Sequence, residues 1–192
     1  MRAVLLDGSL VGDAAGARVA DEMFRALRAA GYDVERLVAR ELDVRACAGC
    51  FGCWTKHPGE CVIDDDARDV AAKVIAAEVY AVVGPVRFGT YDWRMKRAMD
   101  RMIGLLLPFF TMVRGEVHHV QRYPRHPALV AIGTVERHDV PTERTFETLV
   151  ERNAVNLHAP AHAVSVIAAE DDAAGAVRAA LDAIGVRTGV AA

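Results

Sequence analysis

Five short apolar runs, separated by amphipathic stretches, dominate this sequence of 192 residues. The runs read RAVLLDG, DVERLVAR, VYAVVGPV, ALVAIGTV and HAVSVIAA. Such runs are typical of strands that are buried on both faces of a parallel sheet. The stretches between them have helical periodicity; in the first, Val19, Met23 and Leu27 recur every four residues. Strands that alternate with helices in this way predict an α/β protein.

The length and the number of strands narrow this prediction further. A chain of this size suits one domain over residues 1–192. Five strands in it favour a flavodoxin-like, doubly wound three-layer sandwich: a five-stranded parallel sheet of order 2-1-3-4-5 with helices on both faces. Residues 92–107 are predicted to form one helix. Residues 108–127 lack a regular pattern and are predicted to be an excursion over the surface.

Composition excludes several classes of partner. Lys and Arg total 23 against 26 Asp and Glu, so no basic excess indicates nucleic acid. The longest nearly uncharged stretch, MIGLLLPFFTMV, has 12 residues and includes a proline, whereas a membrane span needs roughly 20. Met1 and Arg2 lead directly into the first strand, so no signal peptide is expected. We therefore expect a cytoplasmic protein with no membrane partner.

Ligands of such a sheet bind beyond the carboxyl ends of its strands, which directs attention to three loops. The loop after the first strand, DGSLVGDAAG at residues 7–16, feeds a helix whose free N-terminal amides attract phosphate. The loop after the fourth strand is GTVERHD at residues 133–139, where small residues let a flat ring approach the backbone. A capped turn and a plain surface turn explain these two loops equally well.

The loop after the third strand, GPVRFGTYDW at residues 84–93, contains three aromatic rings. Phe88, Tyr91 and Trp93 could offer flat apolar surface to a planar ligand. The alternative is that these rings pack in the core or in a subunit interface.

All four cysteines of the chain lie in ACAGCFGCWTKHPGEC, residues 46–61. Their spacing is C-x2-C-x2-C-x7-C, formed by Cys47, Cys50, Cys53 and Cys61. Four thiolates are the ligand set of a [4Fe–4S] cluster, and tetrahedral zinc accepts the same number. Three cysteines at successive intervals of three favour iron–sulfur over zinc. Reduced or partly disulfide-bonded thiols beside glycine turns remain an alternative.

Three segments resemble the family of NADPH-dependent FMN reductases and iron–sulfur flavoproteins: LLDGSLVGDAAGARVADEM, CAGCFGCWTKHPGECVIDDD and GPVRFGTYDWRMKRAMDR. The resemblance implies non-covalently bound FMN, which takes hydride from NAD(P)H and passes it to a small acceptor such as a flavin, a quinone or a nitro or azo compound. The flavin carries the chemistry, so no catalytic acid or base is required. The resemblance also implies a homodimer or homotetramer.

The resemblance assigns site residues by position. The FMN phosphate would lie in the first loop, at Ser9, Val11, Ala14, Ala15 and Gly16. The isoalloxazine would rest on the third, at Pro85, Val86, Arg87, Phe88, Gly89 and Thr90. Its other side would be closed by Gly133 and Thr134. In iron–sulfur flavoproteins the compact cysteine motif holds a cluster near the flavin, which relays single electrons to a redox partner protein.

The phosphate loop departs from the family pattern GSPRxxxNT. Leu10 and Val11 replace Pro-Arg, and residues 15–16 replace Asn-Thr. A phosphate here loses a cation and a hydroxyl donor, each charge-assisted bond being worth ~1.5–3 kcal/mol. Arg18 lies one turn into the helix, and Asp13 either faces the phosphate or caps the helix. We expect FMN binding that is weaker than in relatives, with an iron–sulfur electron carrier and a flavin-free binding protein as the alternatives.

Overall fold

The computed structural model describes residues 1–187, so the last five residues of the predicted domain lie outside the described part. In chain order its elements are β1 (Arg2–Asp7), α1 (Ala14–Ala29), β2 (Asp33–Val38), α2 (Gly52–Thr55), α3 (Ala67–Ala76), β3 (Val79–Arg87), β4 (Thr90–Tyr91), α4 (Trp93–Asp100), the 3-10 helix η1 (Arg101–Leu105), β5 (Leu106–Val113), β6 (Glu116–Gln121), β7 (Ala128–Thr134), α5 (Val140–Asn156), β8 (His162–Ile167) and α6 (Ala173–Ala183).

The main sheet has five parallel strands in the order β2-β1-β3-β7-β8. Counted along the chain, these are the five predicted strands in the predicted order 2-1-3-4-5, so the prediction is confirmed. The order reverses direction between β1 and β3. The loops after these two strands therefore diverge to opposite sides and leave a crevice at the carboxyl edge of the sheet.

Helices cover both faces of the sheet, as predicted. Buried side chains of α1 and α6, including Met23 and Leu181, pack on one face with Leu5 of β1. Side chains from α3, α4 and α5, including Met95 and Phe146, pack on the other. Each such fully buried apolar side chain contributes about 1.5–3 kcal/mol relative to an exposed one. The two cores hold the sheet edge rigid, and the loops rest on that edge.

Two predictions for residues 92–127 were wrong. The predicted long helix ends at Asp100, is followed by the 3-10 helix η1 and gives way to β5 at Leu106. Gly104 and Pro108 are both poor helix formers, so the apolar run at 102–107 does not extend the α-helix. The supposed surface excursion is the antiparallel hairpin β5–β6. Its turn places Arg114 and Gly115 at φ 51° and 84°, the left-handed conformation of a two-residue hairpin turn. Arg-Gly is a weaker turn signal than Asn-Gly, and both strands are largely exposed, so the sequence pattern was missed.

Among residues 1–187, no helix combines the length and apolar character needed to cross a bilayer.

His126 lies buried just before β7, under the hairpin. Neither ring nitrogen has a hydrogen-bond partner among the described residues. The ring centroid of His158 is 6.1 Å away. Burial, and secondarily the charge of His158, lower the pKa of His126 below its ordinary value of 6.5. The unfolded chain therefore binds this proton more tightly than the folded one does.

We expect His126 to make the fold sensitive to acid. Its contribution to stability is complete above the unfolded pKa of about 6.5 and is lost as the pH falls from there through the lowered folded pKa. Urea unfolding between neutral and mildly acidic pH should show a falling free energy of unfolding. The variant His126→Leu should show a smaller fall, whereas the exposed His57→Leu should behave like the parent. If the free energy of unfolding falls equally with pH in His126→Leu and in the parent, His126 is not the source of the acid sensitivity.

Candidate functional site

Glycines line the carboxyl edge of the sheet at three adjacent strands. Gly8 follows β1, and Gly84 of β3 pairs in register with Gly133 of β7. A Cβ on Gly84 would lie 2.6 Å from the Met95 sulfur and 3.0 Å from the Gly8 Cα, so no larger residue fits. Strands β1 and β3 therefore meet closely above α4. The side chains of Met95, Val86 and Phe146 occupy the space that a Cβ at these positions would need, so the glycines allow close packing under this edge of the sheet.

A buried carboxylate organises the loop after β1. Asp7 accepts a hydrogen bond from the Ser9 N–H at 2.9 Å and two from Arg36, at 3.0 Å from Nε and 2.8 Å from Nη2. Burial alone would lower the pKa of Arg36, but its hydrogen bonds to Asp21 and Asp7 raise it. Ser9 is itself buried, so this network fixes the loop at its base.

Arg40 supplies the cation that the first loop lacks. It follows β2 and donates from Nη1 to the Ser9 carbonyl oxygen at 3.2 Å. Arg36 and Arg40 line one open groove of about 550 Å³ together with Ser9, Val11 and Ala14. Sequence reasoning missed Arg40 because the residue belongs to a different βα unit. Only the parallel pairing of β1 with β2 brings it to the loop.

Two charged residues near the start of α1, Asp13 and Arg18, are engaged in contacts other than those a phosphate site would require. Asp13 caps α1 by accepting a hydrogen bond from the Gly16 N–H at 2.8 Å, one of the amides assigned to the phosphate. Arg18 donates instead to the Ala169 carbonyl at 2.6 Å and does not reach back to the loop. The phosphate end therefore fits FMN only in part: Arg40 adds a cation, while the Asp13 carboxylate already occupies a helix amide.

The loop after β3 is a tight two-residue turn. Arg87 pairs with Thr90 of β4, and Phe88 and Gly89 between them have φ values of 53° and 73°. A non-glycine residue in this conformation costs about 1–3 kcal/mol. The turn holds the Phe88 side chain fully exposed, while Gly89 packs against Thr145. A bare ring on a constrained turn is a surface for a planar ligand or a partner.

The three rings of that loop have different environments. Tyr91 is buried against Phe146 with ring centroids 5.2 Å apart, and burial raises its pKa to about 12. Tyr91 therefore packs in the core, which is the alternative to ligand binding for the rings of this loop. Phe88 and Trp93 are exposed at the site.

The loop after β7 completes the edge. Gly133 and Thr134 are the last residues of the strand, and Thr134 pairs in register with Pro85. Val86 is buried, with its Cγ2 2.4 Å from where a Cβ on Gly133 would lie. The backbones of these predicted residues lie together at the carboxyl edge of β3 and β7, and Ser9 and residues 14–16 lie beyond the neighbouring β1. Which of them contact a ligand stays a prediction.

The cysteine segment leaves the sheet at the end of β2, as predicted, but packs at the C-terminal end of α4. The Trp54 indole N–H donates to the carbonyls of Ile103 and Leu106, at 3.2 and 3.0 Å. Cys53 lies in α2 and packs against Gly104 of η1. Cys47 and Cys50 are exposed, Cys53 is buried and Cys61 is half-buried.

A buried ion pair ties down both ends of this segment. Arg101 forms two parallel hydrogen bonds with Asp65, at 2.8 and 2.9 Å. It also donates to the carbonyls of Arg45 and Ile63, at 2.8 and 3.1 Å. The side chains of Arg101 and Asp65 are 1% and 0% exposed. The two ends of the segment are thereby held against η1.

In the described part of the chain, the four thiols do not form a metal site by themselves. Among residues 1–187, no three His, Cys, Asp or Glu side chains converge on a metal-binding point. The buried Nε–H of Arg101 has no geometric hydrogen-bond partner within this part of the chain. Burial opposes charge on Arg101, but Asp65 and the neighbouring Cys61 raise its pKa. An orphaned cationic donor beside Cys61 fits a thiolate there, as a cluster would require.

Cys53 interacts with the other three cysteines. Burial raises the pKa of Cys53, and negative charge on Cys61, Cys47 and Cys50 raises it further. The four thiols therefore share one neighbourhood. Among residues 1–187 they do not converge on one centre, so a metal would have to draw the exposed Cys47 and Cys50 inward.

The fold and this glycine-lined edge define a flavodoxin-like α/β protein. The chain belongs to the NADPH-dependent FMN reductase family, whose model matches residues 1–169. FMN is the cofactor of this family. The family predicted from the three sequence segments is confirmed.

Curated relatives carry the name iron–sulfur flavoprotein. One from Archaeoglobus fulgidus is 28% identical over 54% of this chain and 46% of its own length. Another, from Methanosarcina thermophila, is 30% identical over 38% of this chain and 37% of its own length. The matches thus span less than half of these relatives.

Solved structures share the fold. An azoreductase from Bacillus anthracis superimposes with a TM-score of 0.63 over 95% of this chain and 96% of its own, at 12% identity. An NAD(P)H:quinone oxidoreductase from Methanothermobacter marburgensis does so with a TM-score of 0.60 over 89% and 86%, at 11% identity. At such identities the likeness concerns the fold alone.

Asp13 should weaken FMN binding through its charge. In Asp13→Asn the side chain still caps α1, because Asn and Asp are comparable caps. Removal of the negative charge beside the phosphate should tighten FMN by about fivefold to thirtyfold, or ~1–2 kcal/mol. Isothermal titration should leave the affinity for riboflavin, which lacks the phosphate, unchanged.

Asp172 provides a matched control, since it caps α6 through the Gly175 N–H at 3.0 Å in the same manner. Asp172→Asn should leave FMN affinity as it is. If Asp13→Asn changes the affinities for FMN and riboflavin equally, the phosphate does not lie at this helix.

Proposed function

We propose that this protein transfers hydride from NAD(P)H, through FMN, to a small acceptor such as a free flavin, a quinone or a nitro or azo compound. The observation that carries the proposal is the constrained turn at Phe88, which holds an exposed ring at the carboxyl edge of β3 in a chain of this FMN-binding family. An exposed ring on a constrained turn, at the edge where ligands of such a sheet bind, suits a planar ligand.

Each part of the edge has a definite task in this proposal. Ser9 and Arg40 hold the phosphate, with the opposing charge of Asp13 lowering affinity. The turn from Arg87 to Thr90 presents its backbone to the ring edge, and Gly133 with Thr134 borders the other side. FMN, when bound, supplies the hydride and electron chemistry. The chain's own residues bind, orient and shield, and none is required to move a proton.

We propose a second function, electron relay to a partner protein through a [4Fe–4S] cluster on Cys47, Cys50, Cys53 and Cys61. The specific support is the orphaned Arg101 Nε–H beside Cys61, together with the name of the relatives. A cluster carries a net negative charge, which a buried guanidinium would stabilise. In the reducing cytoplasm, where we place the protein, clustered thiols remain available to a metal.

Anaerobic purification followed by absorption spectroscopy tests both functions. We expect the two visible bands of oxidised flavin, and NADPH added without oxygen should bleach them. A cluster would add a broad absorption that dithionite bleaches, with iron and sulfide released on acidification. Cys53→Ala should abolish that absorption and leave the flavin bands.

The outcomes are separable. If the purified protein contains flavin but no iron, the oxidoreductase proposal stands and the electron-relay proposal is excluded. A colourless protein that takes up no added FMN contradicts both functions and favours a flavin-free binding protein on this fold.

We also propose that the chain self-associates as a dimer or tetramer through the β5–β6 hairpin. Its exposed large apolar side chains are Phe109, Phe110, Met112 and Val117, between 64% and 68% exposed. A two-stranded hairpin is marginal on its own, and a contiguous apolar patch of this kind marks an interface.

Sedimentation equilibrium should therefore give a mass at least twice the 20.8 kDa of one chain. Phe110→Glu should dissociate the assembly, because it places charge in the apolar patch. Asp182→Asn, an exposed change on α6, which packs on the opposite face of the main sheet from α5, should leave the mass unaltered. A parent protein that sediments as one chain would refute the proposal.

A further inference from the structure

A histidine in the loop after β7 lies between two carboxylates from different elements. The Nδ1 of His138 is 2.8 Å from Oε1 of Glu143 on α5, and its Nε2 is 2.9 Å from Oδ2 of Asp171 in the loop between β8 and α6. An ionised carboxylate only accepts hydrogen bonds, and a neutral imidazole has a single N–H to donate. Both contacts can therefore be hydrogen bonds only when the ring is the doubly protonated imidazolium.

The same two carboxylate oxygens also hold the backbone on either side. Oε1 of Glu143 accepts a hydrogen bond from the Asp139 N–H at 2.9 Å, and Oδ2 of Asp171 accepts one from the Ala168 N–H at 2.7 Å. Neither carboxylate can move away from the ring without loss of a backbone hydrogen bond. We call His138, Glu143 and Asp171 the His138 clamp, and this clamp joins the loop after β7 to the loop after β8.

The charges around the clamp favour a proton on the ring. The hydrogen bonds to Glu143 and then Asp171 raise the pKa of His138 above its ordinary value of 6.5. The other charged side chains near the clamp belong to its two loops and to α1, from which one donates to the Asp171 carbonyl at 3.5 Å: Arg137, Asp139, Glu170, Asp172 and Arg18. Three of these five are carboxylates, so they do not oppose the imidazolium as a group. The clamp is therefore complete below about pH 6.5 and is lost as the pH rises through the raised pKa.

The clamp lies at the far end of the loop that borders the proposed flavin site. This loop starts from Gly133 and Thr134, the last residues of β7. Its start is fixed because the Val135 N–H donates to the Ile167 carbonyl of β8 at 3.0 Å. Residues 136–139 are exposed. Their path across the surface therefore depends on how firmly the clamp holds the end of the loop.

We propose that His138 is a positioning residue, whose imidazolium fixes the loop after β7 in the path that accepts the flavin ring, so that flavin binding strengthens when this ring is protonated. The inference rests on the proposed flavin site for the identity of the ligand. When His138 is neutral, one of its two carboxylates faces a nitrogen lone pair instead of an N–H. The end of the loop is then released, and a flavin must order it on binding, at a cost in conformational entropy.

The test is the pH dependence of riboflavin binding to the full chain, measured by isothermal titration. Riboflavin is the probe because the phosphate of FMN itself titrates near pH 6. The His138 side chain is 46% exposed, so solvent screens the clamp. We expect the affinity to fall about twofold to fivefold between about pH 6.5 and about pH 9, the range for a partly exposed ion pair. His138→Gln should show the weaker affinity at every pH, because glutamine does not titrate.

Asp171→Asn separates positioning by charge from a merely structural role. Asparagine can still accept from the Ala168 N–H, and its amide can donate to a neutral ring. Because the variant removes one of the two charges that favour the imidazolium, the midpoint of the pH profile should move to lower pH. A structural role would change the affinity at all pH values and leave the midpoint in place, which would overturn the inference.

His118→Gln is the matched control. His118 also lies between two side chains, at 3.0 Å from Glu116 and 2.9 Å from Asn156, but it belongs to the β5–β6 hairpin. This variant should keep the parental pH profile. The inference is wrong if His118→Gln flattens the profile as much as His138→Gln does, or if His138→Gln keeps the profile of the parent.

Nitrogen NMR of the histidine rings, recorded without flavin, separates this inference from the proposed function. Both ring nitrogens of His138 should remain protonated above pH 6.5, and one should lose its proton as the pH rises further. If the ring titrates in this way but no flavin binds, the clamp is real and the proposed flavin site fails. If flavin binds with an affinity that His138→Gln does not alter at any pH, the inference fails and the proposed function stands.

Discussion

The buried ion pair between Arg101 and Asp65 holds the least regular part of the molecule in place. Burial opposes ionisation of Asp65, but hydrogen bonds from Arg101 and from the Arg45 and Ala67 amides lower its pKa. Loss of one partner would leave a buried charge at a cost of about 3–5 kcal/mol. Because the pair joins both ends of the cysteine segment to η1, the placement of all four thiols depends on it.

Through that ion pair, α4 links the proposed flavin site to the cysteine segment. The helix starts just after the Phe88 turn and β4, and Arg101 follows directly at its end. Its 8 residues span about 12 Å at 1.5 Å per residue. Met95, between the two ends, fills the space above Gly8 and Gly84. One short helix therefore sets both the floor of the crevice and the anchor of the thiols.

The sequence predicts those parts of the fold that depend on local residue patterns. Apolar runs and helical periodicity identify all five strands of the main sheet. Burial on both faces imposes the apolar runs of β1, β3 and β7, whereas the edge strands β2 and β8 are partly exposed. The hairpin β5–β6 was missed because its apolar side chains are exposed and so follow no burial pattern. Arg40 and the Arg101–Asp65 pair were missed for another reason. Their partners are distant in sequence, and only the assembled sheet brings them together.

The sequence around Asp13 supports two interpretations of this residue, and the structure distinguishes between them. Beside a phosphate loop its charge suggested either a conflict with FMN or a helix cap. In the structure it is a cap, with a short bond to the Gly16 amide. The conflict is not thereby removed, since the bond occupies an amide that a phosphate would use. In the proposed FMN site the cation of Arg40 would offset part of that cost, and the balance of these two side chains would determine how firmly the phosphate is held.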